Sequence, residues 1–427
     1  MIFSSQPVRS LKGELFLPAS KSYSIRAFII AACGGKSCIV SPSNCDDAKV
    51  AMAAAQALGA KVTPVARDSW SVIAGQSPRL KTFQVGESGT VLRFVLPLLS
   101  LSGNKVVVKG KGTLVGRPNF HLTEMLRNHG VDIHGQGKEE SVPIRIRGGK
   151  LIPGRMSIDG TLSSQFISSL LIACPQLKAA TRLRITGKKM VSGDYIEMTQ
   201  RVLSLAGIKI VRKGPREFLI PGNQRAKGLK KFIVPSDFGL AAFLLALGIL
   251  VPSQITLRGC LRRDLVQADG RIFLILKKMG VKLRMTATAI HLHGPFELKG
   301  GDFSLEAAPD LVPILAILAL FSKGRTRIYN IRHARAKESD RISDLRQELL
   351  KIGAKVEEKE NELLIYPQMA YKPNVLLDPH RDHRLAMAFA VLGVKIAVRI
   401  KDIECVAKSY PDFLKDFRKL GAQGRLS

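Results

Sequence analysis

A chain of 427 residues that is 46% hydrophobic can bury a large core and divide it between two or more domains, and its longest apolar run, Phe238 to Val251, is too short to span a bilayer. Lys and Arg number 66 against 34 Asp and Glu, giving a net charge of +32 spread along the chain, while one Trp and six Tyr leave few rings for base stacking. The charge suggests a nucleic-acid-binding protein, but no nucleic-acid-binding motif supports one; steering of strongly anionic small molecules accounts for the same excess. Six cysteines form no CxxC pair and no zinc-ligand spacing, and the N-terminus shows no signal or transit pattern, so a cytoplasmic protein with reduced thiols is expected.

The predicted elements repeat along the chain. A polar cluster opens an apolar helix, first at Ser20-Lys21-Ser22, then at Glu87-Ser88-Gly89-Thr90 and Ser163-Ser164-Gln165. It returns at Pro235-Ser236-Asp237, Pro309-Asp310 and Asp382-His383-Arg384. With Ser22, Ser88, Ser164, Asp237, Asp310 and His383 as markers, the gaps are 66, 76, 73, 73 and 73 residues. A second signal keeps the same beat: an amphipathic helix ends on glycine, and a strand follows. These joints are Leu58-Gly59-Ala60-Lys61-Val62, His129-Gly130-Val131-Asp132-Ile133 and Ala206-Gly207-Ile208-Lys209-Ile210. Further on come Met279-Gly280-Val281-Lys282-Leu283, Ile352-Gly353-Ala354-Lys355-Val356 and Leu420-Gly421-Ala422-Gln423. One such joint carries no information; six at near-constant period define a repeat. Each unit reads as capped apolar helix, strand, loop, amphipathic helix, glycine, strand, an α/β class with covered sheets. Six units suggest two domains of three.

Free N–H groups and the positive dipole end make a helix N-terminus attractive to anions. Ser and Asp there are ordinarily plain caps. These clusters also carry Lys21, Arg26, Gln165 and an Asp-His-Arg run, which capping does not need. Gly116-Arg117-Pro118, Lys337 to Arg341 and Lys408 to Pro411 are basic and loop-like, and suggest oxyanion clamps. Two other motifs fail. Gly34-Gly35-Lys36-Ser37 lacks the first P-loop glycine, since position 30 is Ile30, and Gly110-Lys111-Gly112 lacks the rest of a dinucleotide fingerprint. Asp46 and Asp47 beside Cys45 read more simply as the acidic start of a helix than as a metal site.

In this order, the clusters resemble the 5-enolpyruvylshikimate-3-phosphate synthase family. The matching blocks are Leu17 to Ala27, Glu87 to Arg93, Ser163 to Phe166, Lys337 to Arg341, Asp382 to Arg384 and Ala407 to Pro411, and the likeness covers the whole chain. It implies two similar domains, each of three βαβαββ repeats in an inverse α/β barrel, hinged about an interdomain active site. The expected bounds are 1–18 plus 236–427 for one domain and 19–235 for the other. It also implies the reaction: the 5-hydroxyl of 3-phosphoshikimate attacks phosphoenolpyruvate, and phosphate leaves from a tetrahedral intermediate. Neither metal nor organic cofactor is expected, and the partners implied are the two small substrates, with no membrane and no specific nucleic acid, in a monomeric cytoplasmic enzyme. By resemblance, Lys21, Gly89, Arg117, Gln165, Arg341, Arg384 and Lys408 face phosphoenolpyruvate. Lys21, Ser22, Arg26, Ser163, Ser164, Gln165, Ser192, Tyr195, Asp310, His333 and Lys337 face 3-phosphoshikimate. Asp310 is the implied base for the hydroxyl, and Glu338 and Lys21 are the candidates for protonating C3 of the enol.

Three positions depart from the family pattern. Glu87 stands where Asn is usual, which implies that its segment acts through backbone at Gly89 while the carboxylate points elsewhere. His333 replaces a frequent Asn, and Asp237 to Ala241 has lost its polar residues, leaving Asp237 a structural cap. The related UDP-N-acetylglucosamine enolpyruvyl transferases carry a cysteine in the loop near Arg117, and the stretch from Gly110 to Pro118 has none.

Overall fold

The computed structural model describes residues 1–76, 80–188, 190–262 and 264–427. The chain forms two compact units, one of residues Ala19–Val234 and one that joins Met1–Pro18 to Pro235–Ser427. Each unit is built on the repeat read from the sequence.

In the first unit, copy one comprises helix α1 (Lys21–Ala31), strand Lys36–Val40, helix α2 (Asp46–Ala57) and the hairpin of Lys61–Ala66 with Ser69–Ile73. Its parallel edge strand, Phe232–Ile233, comes from the far end of the unit. Copy two runs Thr82–Gln84, α3 (Gly89–Leu99), Val106–Lys109, α4 (Phe120–Arg127), Val131–Gln136 and Ser141–Gly149. Copy three runs Arg155–Asp159, α5 (Ser164–Ala173), Thr181–Thr186, α6 (Gly193–Leu205), Val211–Gly214 and Glu217–Ile220.

The second unit repeats the plan but borrows two strands from the N-terminus. Copy four opens with Leu11–Phe16, continues through α7 (Phe238–Leu250), Ser253–Arg258 and α8 (Arg271–Lys278), and closes on Leu283–Met285 and Ala289–Gly294. Copy five is Asp302–Ser304, α9 (Val312–Leu320), Thr326–Tyr329, α10 (Ser343–Lys351), Lys355–Lys359 and Glu362–Tyr366. Copy six is Val375–Leu377, α11 (His383–Leu392), Val398–Ile400, α12 (Phe413–Lys419) and Gln423–Leu426, and its last strand is Phe3–Gln6. Among the described residues the six four-stranded sheets share one strand order: first, second, fourth, third.

The odd-numbered helices form the cores. Every residue of α7, α9 and α11 is buried, and the three pack on one another. A helix apolar on all sides is stable only when enclosed, and each fully buried Leu, Ile or Phe adds roughly 1.5–3 kcal/mol. In the first unit, α3 packs between α1 and α5. The even-numbered helices are amphipathic, and the six joint glycines that end them all have positive φ, from +80° at Gly353 to +101° at Gly59. The sequence expectation fails in one detail. After Gly207 and Gly280 the strands begin late, at Val211 and Leu283, because Lys209 and Ile210, and Val281 and Lys282, make no ladder pairs with their neighbouring strands. Among the described residues, no helix is long and apolar enough to cross a membrane.

Candidate active site

In the unit that contains α7, α9 and α11, the starts of these three helices meet. Asp382 caps α11 by accepting the Arg384 backbone N–H at 2.8 Å. The same carboxylate, fully buried, accepts two hydrogen bonds from Arg341, from Nε at 2.6 Å and Nη2 at 3.2 Å. Arg341 is 1% exposed and also donates to Asp310 at 2.6 Å and to Glu338 at 2.9 Å. Asp310 lies in the 3-10 turn Pro309–Leu311 that leads into α9, not at the first residue of the helix itself. Arg384 approaches it at 3.1 Å and Lys337 at 3.4 Å, while Lys408, at the end of a second 3-10 turn, lies 3.8 Å from Glu338.

A glycine opens this cluster toward α7. A Cβ at Gly239 would lie 2.2 Å from the Asp269 carboxylate and 2.9 Å from Arg384 Nη1, so no other residue fits there unless one of them moves. Among the described residues Arg384 Nε and Nη1 and Asp269 Oδ1 are buried without hydrogen-bond partners, and the two arginine N–H groups are an available donor pair for an anion.

The charges explain the proton affinities. Burial by itself raises the pKa of Asp310, but Lys337, Arg384 and Arg341 outweigh it and hold the carboxyl well below its usual range. Burial likewise opposes the charge on Arg341, and Asp382, Asp310 and Glu338 overcome it, leaving the guanidinium firmly protonated. Asp269 behaves oppositely. Its pKa is raised to about 7, chiefly by desolvation, which Arg384 opposes and the carboxylates of Asp310 and Asp237 reinforce.

The other unit carries a second cationic set. Ser20 caps α1, and Lys21, the first helical residue, forms an ion pair with Asp47 at 3.2 Å. Arg26, one helical turn on, is 1% exposed and donates to three neutral oxygens: Thr199 Oγ1 at 2.9 Å, the Ser22 carbonyl at 2.9 Å and the Tyr195 carbonyl at 3.0 Å. Its guanidinium sits over the rings of Phe94 and Tyr195, and desolvation lowers its pKa to about 10, the mark of a buried cation whose neighbours include no carboxylate. Ser192, before α6, holds a left-handed conformation at φ +54°, a strain a non-glycine residue shows where its position is dictated by its surroundings.

The starts of α3 and α5 also meet. Ser88 caps α3 and Ser163 caps α5, and Gln165 donates from Nε2 to Thr90 Oγ1 at 2.9 Å. Arg93, 3% exposed, donates to Gln165 Oε1 at 2.6 Å, Ser163 Oγ at 3.4 Å, Asn119 Oδ1 at 3.3 Å and the Pro118 carbonyl at 3.0 Å. Arg117 is buried against the start of α3, where a Cβ at Gly89 would lie 2.9 Å from its Nη1.

The structure therefore gathers Asp310, Lys337, Glu338, Arg341, Arg384 and Lys408 in one unit, with His333 buried in the turn just before them. It gathers Gln165, Ser163, Ser164 and, across α3, Gly89 and Arg117 in the other, where Lys21, Ser22, Arg26, Ser192 and Tyr195 line the α1 and α6 starts. Asp237 caps α7 through the Leu240 N–H, as expected. Sequence reasoning missed four partners: Arg93, Asp382, Asp269 and, as the partner of Lys21, Asp47. Asp47 does stand in the first turn of a helix, but its carboxylate is also spent on a lysine 26 residues away. Arg93 and Asp382 stood inside motifs already singled out, so their burial was the missing signal. Among the described residues no His, Cys, Asp or Glu cluster is arranged to hold a metal ion.

The family model of EPSP synthase (3-phosphoshikimate 1-carboxyvinyltransferase) matches residues 5–417. The 3-phosphoshikimate 1-carboxyvinyltransferase of Methanosarcina mazei is 36% identical over 425 residues, covering 97% of this chain and 96% of the relative. That of Clostridium beijerinckii is 34% identical, covering 96% and 95%. Among solved structures, an EPSP synthase from Acinetobacter baumannii superposes with a TM-score of 0.80 at 24% identity, covering 100% of this chain and 99% of that one. The enolpyruvyl transferase NikO from Streptomyces tendae does so at 0.79 and 18% identity, covering 99% and 98%; both show the shared fold.

Proposed function

The chain belongs to the EPSP synthase family, and from that premise we propose that it transfers the enolpyruvyl group of phosphoenolpyruvate to the 5-hydroxyl of 3-phosphoshikimate, with the residues described above in the following roles. The observation that carries the assignment of roles is Asp310, held between three cations beside a second carboxylate, Glu338.

Phosphoenolpyruvate brings a phosphate and a carboxylate, and its donors are Arg341, Arg384, Lys408, Lys21, Arg117, Gln165 and the backbone at Gly89. The 3-phosphoshikimate phosphate and carboxylate are taken by Arg26, Ser22, Ser163, Ser164, Gln165, Ser192 and Tyr195, with Lys337 and His333 for its remaining oxygens. Arg26 suits this task because a buried cation among neutral partners gains most from an arriving anion. Asp310 takes the proton of the 5-hydroxyl. In the free enzyme its cations make it a weak base; substrate anions that engage Lys337, Arg384 and Arg341 withdraw that field and raise its basicity when the hydroxyl arrives. C3 of the enol gains its proton from Glu338 or Lys21 in the addition and gives one up to the same group as the C2–O bond to phosphate breaks, and the same cations hold the phosphate that leaves from the tetrahedral intermediate.

The test is release of inorganic phosphate from phosphoenolpyruvate, run with 3-phosphoshikimate and separately with UDP-N-acetylglucosamine. Turnover is expected with the first alone; turnover only with the second overturns the assignment. Solvent deuterium entering C3, measured in Glu338→Gln and Lys21→Met, separates the two proton donors.

A further inference from the structure

Residue 87 is a carboxylate in a segment assigned to an anionic substrate, a position where the side chain would repel what the backbone binds. Its contacts resolve the conflict. Glu87 Oε2 accepts two hydrogen bonds from Thr113, from the backbone N–H at 3.2 Å and from Oγ1 at 3.1 Å. Beside Thr113, Gly112 adopts φ +57°, and a Cβ there would lie 2.1 Å from Glu87 Oε1, so the carboxylate occupies the space a side chain would fill. The two segments are joined along their length. Val85 donates to the Lys109 carbonyl at 2.9 Å, Lys111 donates to the Gly86 carbonyl at 2.8 Å, and Gly110 lies against Gly86. Beyond Thr113 the loop turns through Leu114 to Arg117, whose guanidinium returns to Gly89, two residues on from Glu87. The 85–89 segment thus grips the 109–117 loop at two points, by an acidic side chain at 112–113 and by a bare glycine under the guanidinium.

We infer that Glu87 is a positioning residue for Arg117: its carboxylate anchors the 110–117 loop through Thr113 and so fixes the guanidinium at the start of α3. The inference rests on the reading of Arg117 as a phosphoenolpyruvate ligand. It explains why an acid is tolerated here: both hydrogen bonds from Thr113 end on Oε2, and an ionised carboxylate oxygen accepts them more strongly than a neutral amide oxygen does.

The test uses the intact enzyme and the variants Glu87→Ala, Glu87→Gln, Thr113→Val, the double variant Glu87→Ala/Thr113→Val, and Arg117→Ala. Steady-state kinetics are read together with hydrogen–deuterium exchange over residues 110–117. In Glu87→Ala the KM for phosphoenolpyruvate is expected to rise about tenfold, kcat to change less than about threefold, and loop exchange to quicken about tenfold. Glu87→Gln should recover most of both effects, and the double variant should be no worse than Glu87→Ala, since one contact is removed from either side. Effects that multiply in the double variant, or unchanged loop exchange in Glu87→Ala, overturn the anchoring. Quickened exchange with an unchanged KM in both Glu87→Ala and Arg117→Ala instead refutes the substrate role of Arg117 and leaves the anchoring in place.

Discussion

The buried pair between Asp382 and Arg341 offers the sharpest test of how this cluster is held together. Asp382→Asn keeps the size of the side chain and removes one charge. In the native enzyme, Oδ1 accepts the Arg384 N–H and Arg341 Nη2, and Oδ2 accepts Arg341 Nε and, at 3.4 Å, Ser339 Oγ. An amide has one oxygen. Placed toward Arg384, it turns its NH2 against Arg341 Nε; placed the other way, it leaves the cap of α11 unmade. Either choice loses a charge-assisted hydrogen bond, worth about 1.5–3 kcal/mol, and orphans a buried donor at about 1–3 kcal/mol more. The sum, about 2.5–6 kcal/mol, brackets the usual cost of breaking a buried ion pair, about 3–5 kcal/mol, because Asp310 and Glu338 only partly compensate Arg341. Urea unfolding followed by circular dichroism should show the midpoint lowered by about 1.5 M for a urea slope of about 2–3 kcal/mol/M. The one tryptophan, Trp70, belongs to the other unit, so its fluorescence is an internal control whose transition should move less. A loss below about 1 kcal/mol would refute the reasoning, because it would mean that Arg341 does not depend on this carboxylate.

Asp310→Ala should lower kcat by about 10²–10⁴ while 3-phosphoshikimate still binds, as read by calorimetric titration; near-normal kcat removes Asp310 as the base. Arg384→Ala should raise the KM for phosphoenolpyruvate by about 100-fold, and an unchanged KM takes this residue out of the clamp. Asp269 has its folded pKa raised to about 7, above its ordinary value, so the stability tied to its proton is full below about pH 4 and is lost as pH rises through about 7. Asp269→Asn should therefore gain on the native enzyme by about 2–3 kcal/mol between about pH 5 and pH 8 in urea unfolding, and a pH-independent difference would show that Asp269 does not titrate there.

Much of this molecule was legible as a rhythm. The joint glycines could be read because a left-handed helix terminus is a local requirement that one residue type meets, and all six meet it. The apolar helix from Phe238 was equally plain, since its enclosure follows from composition alone. The partners were not legible. Arg341 meets Asp382 across 41 residues and Arg93 meets Gln165 across 72, and no periodicity links such positions until the helices are packed. Nor did the sequence tell which cap also holds an arginine. Asp237 and Asp382 are the same residue type at equivalent helix starts, yet Asp382 also holds the arginine at the centre of the cluster. The delayed strands after Gly207 and Gly280 were missed for a related reason: pairing in a ladder is decided by the neighbouring strand, not by the residues that could join it.

The two strands at the N-terminus carry a consequence for synthesis. Phe3–Gln6 pairs with Gln423–Leu426 and Leu11–Phe16 pairs with Ser253–Arg258, so two strands made before Ala19 belong to the unit completed after Val234. At about 5–20 residues per second, Phe3–Gln6 waits on the order of half a minute for its partner, while the contiguous stretch from Ala19 to Val234 can fold in the meantime. A nascent chain of this design must keep two strands unpaired while a whole unit forms behind them. Leu11–Phe16 ends at the edge of its sheet with Lys12 and Glu14 exposed, and such charged residues suit it to remain solvated until then.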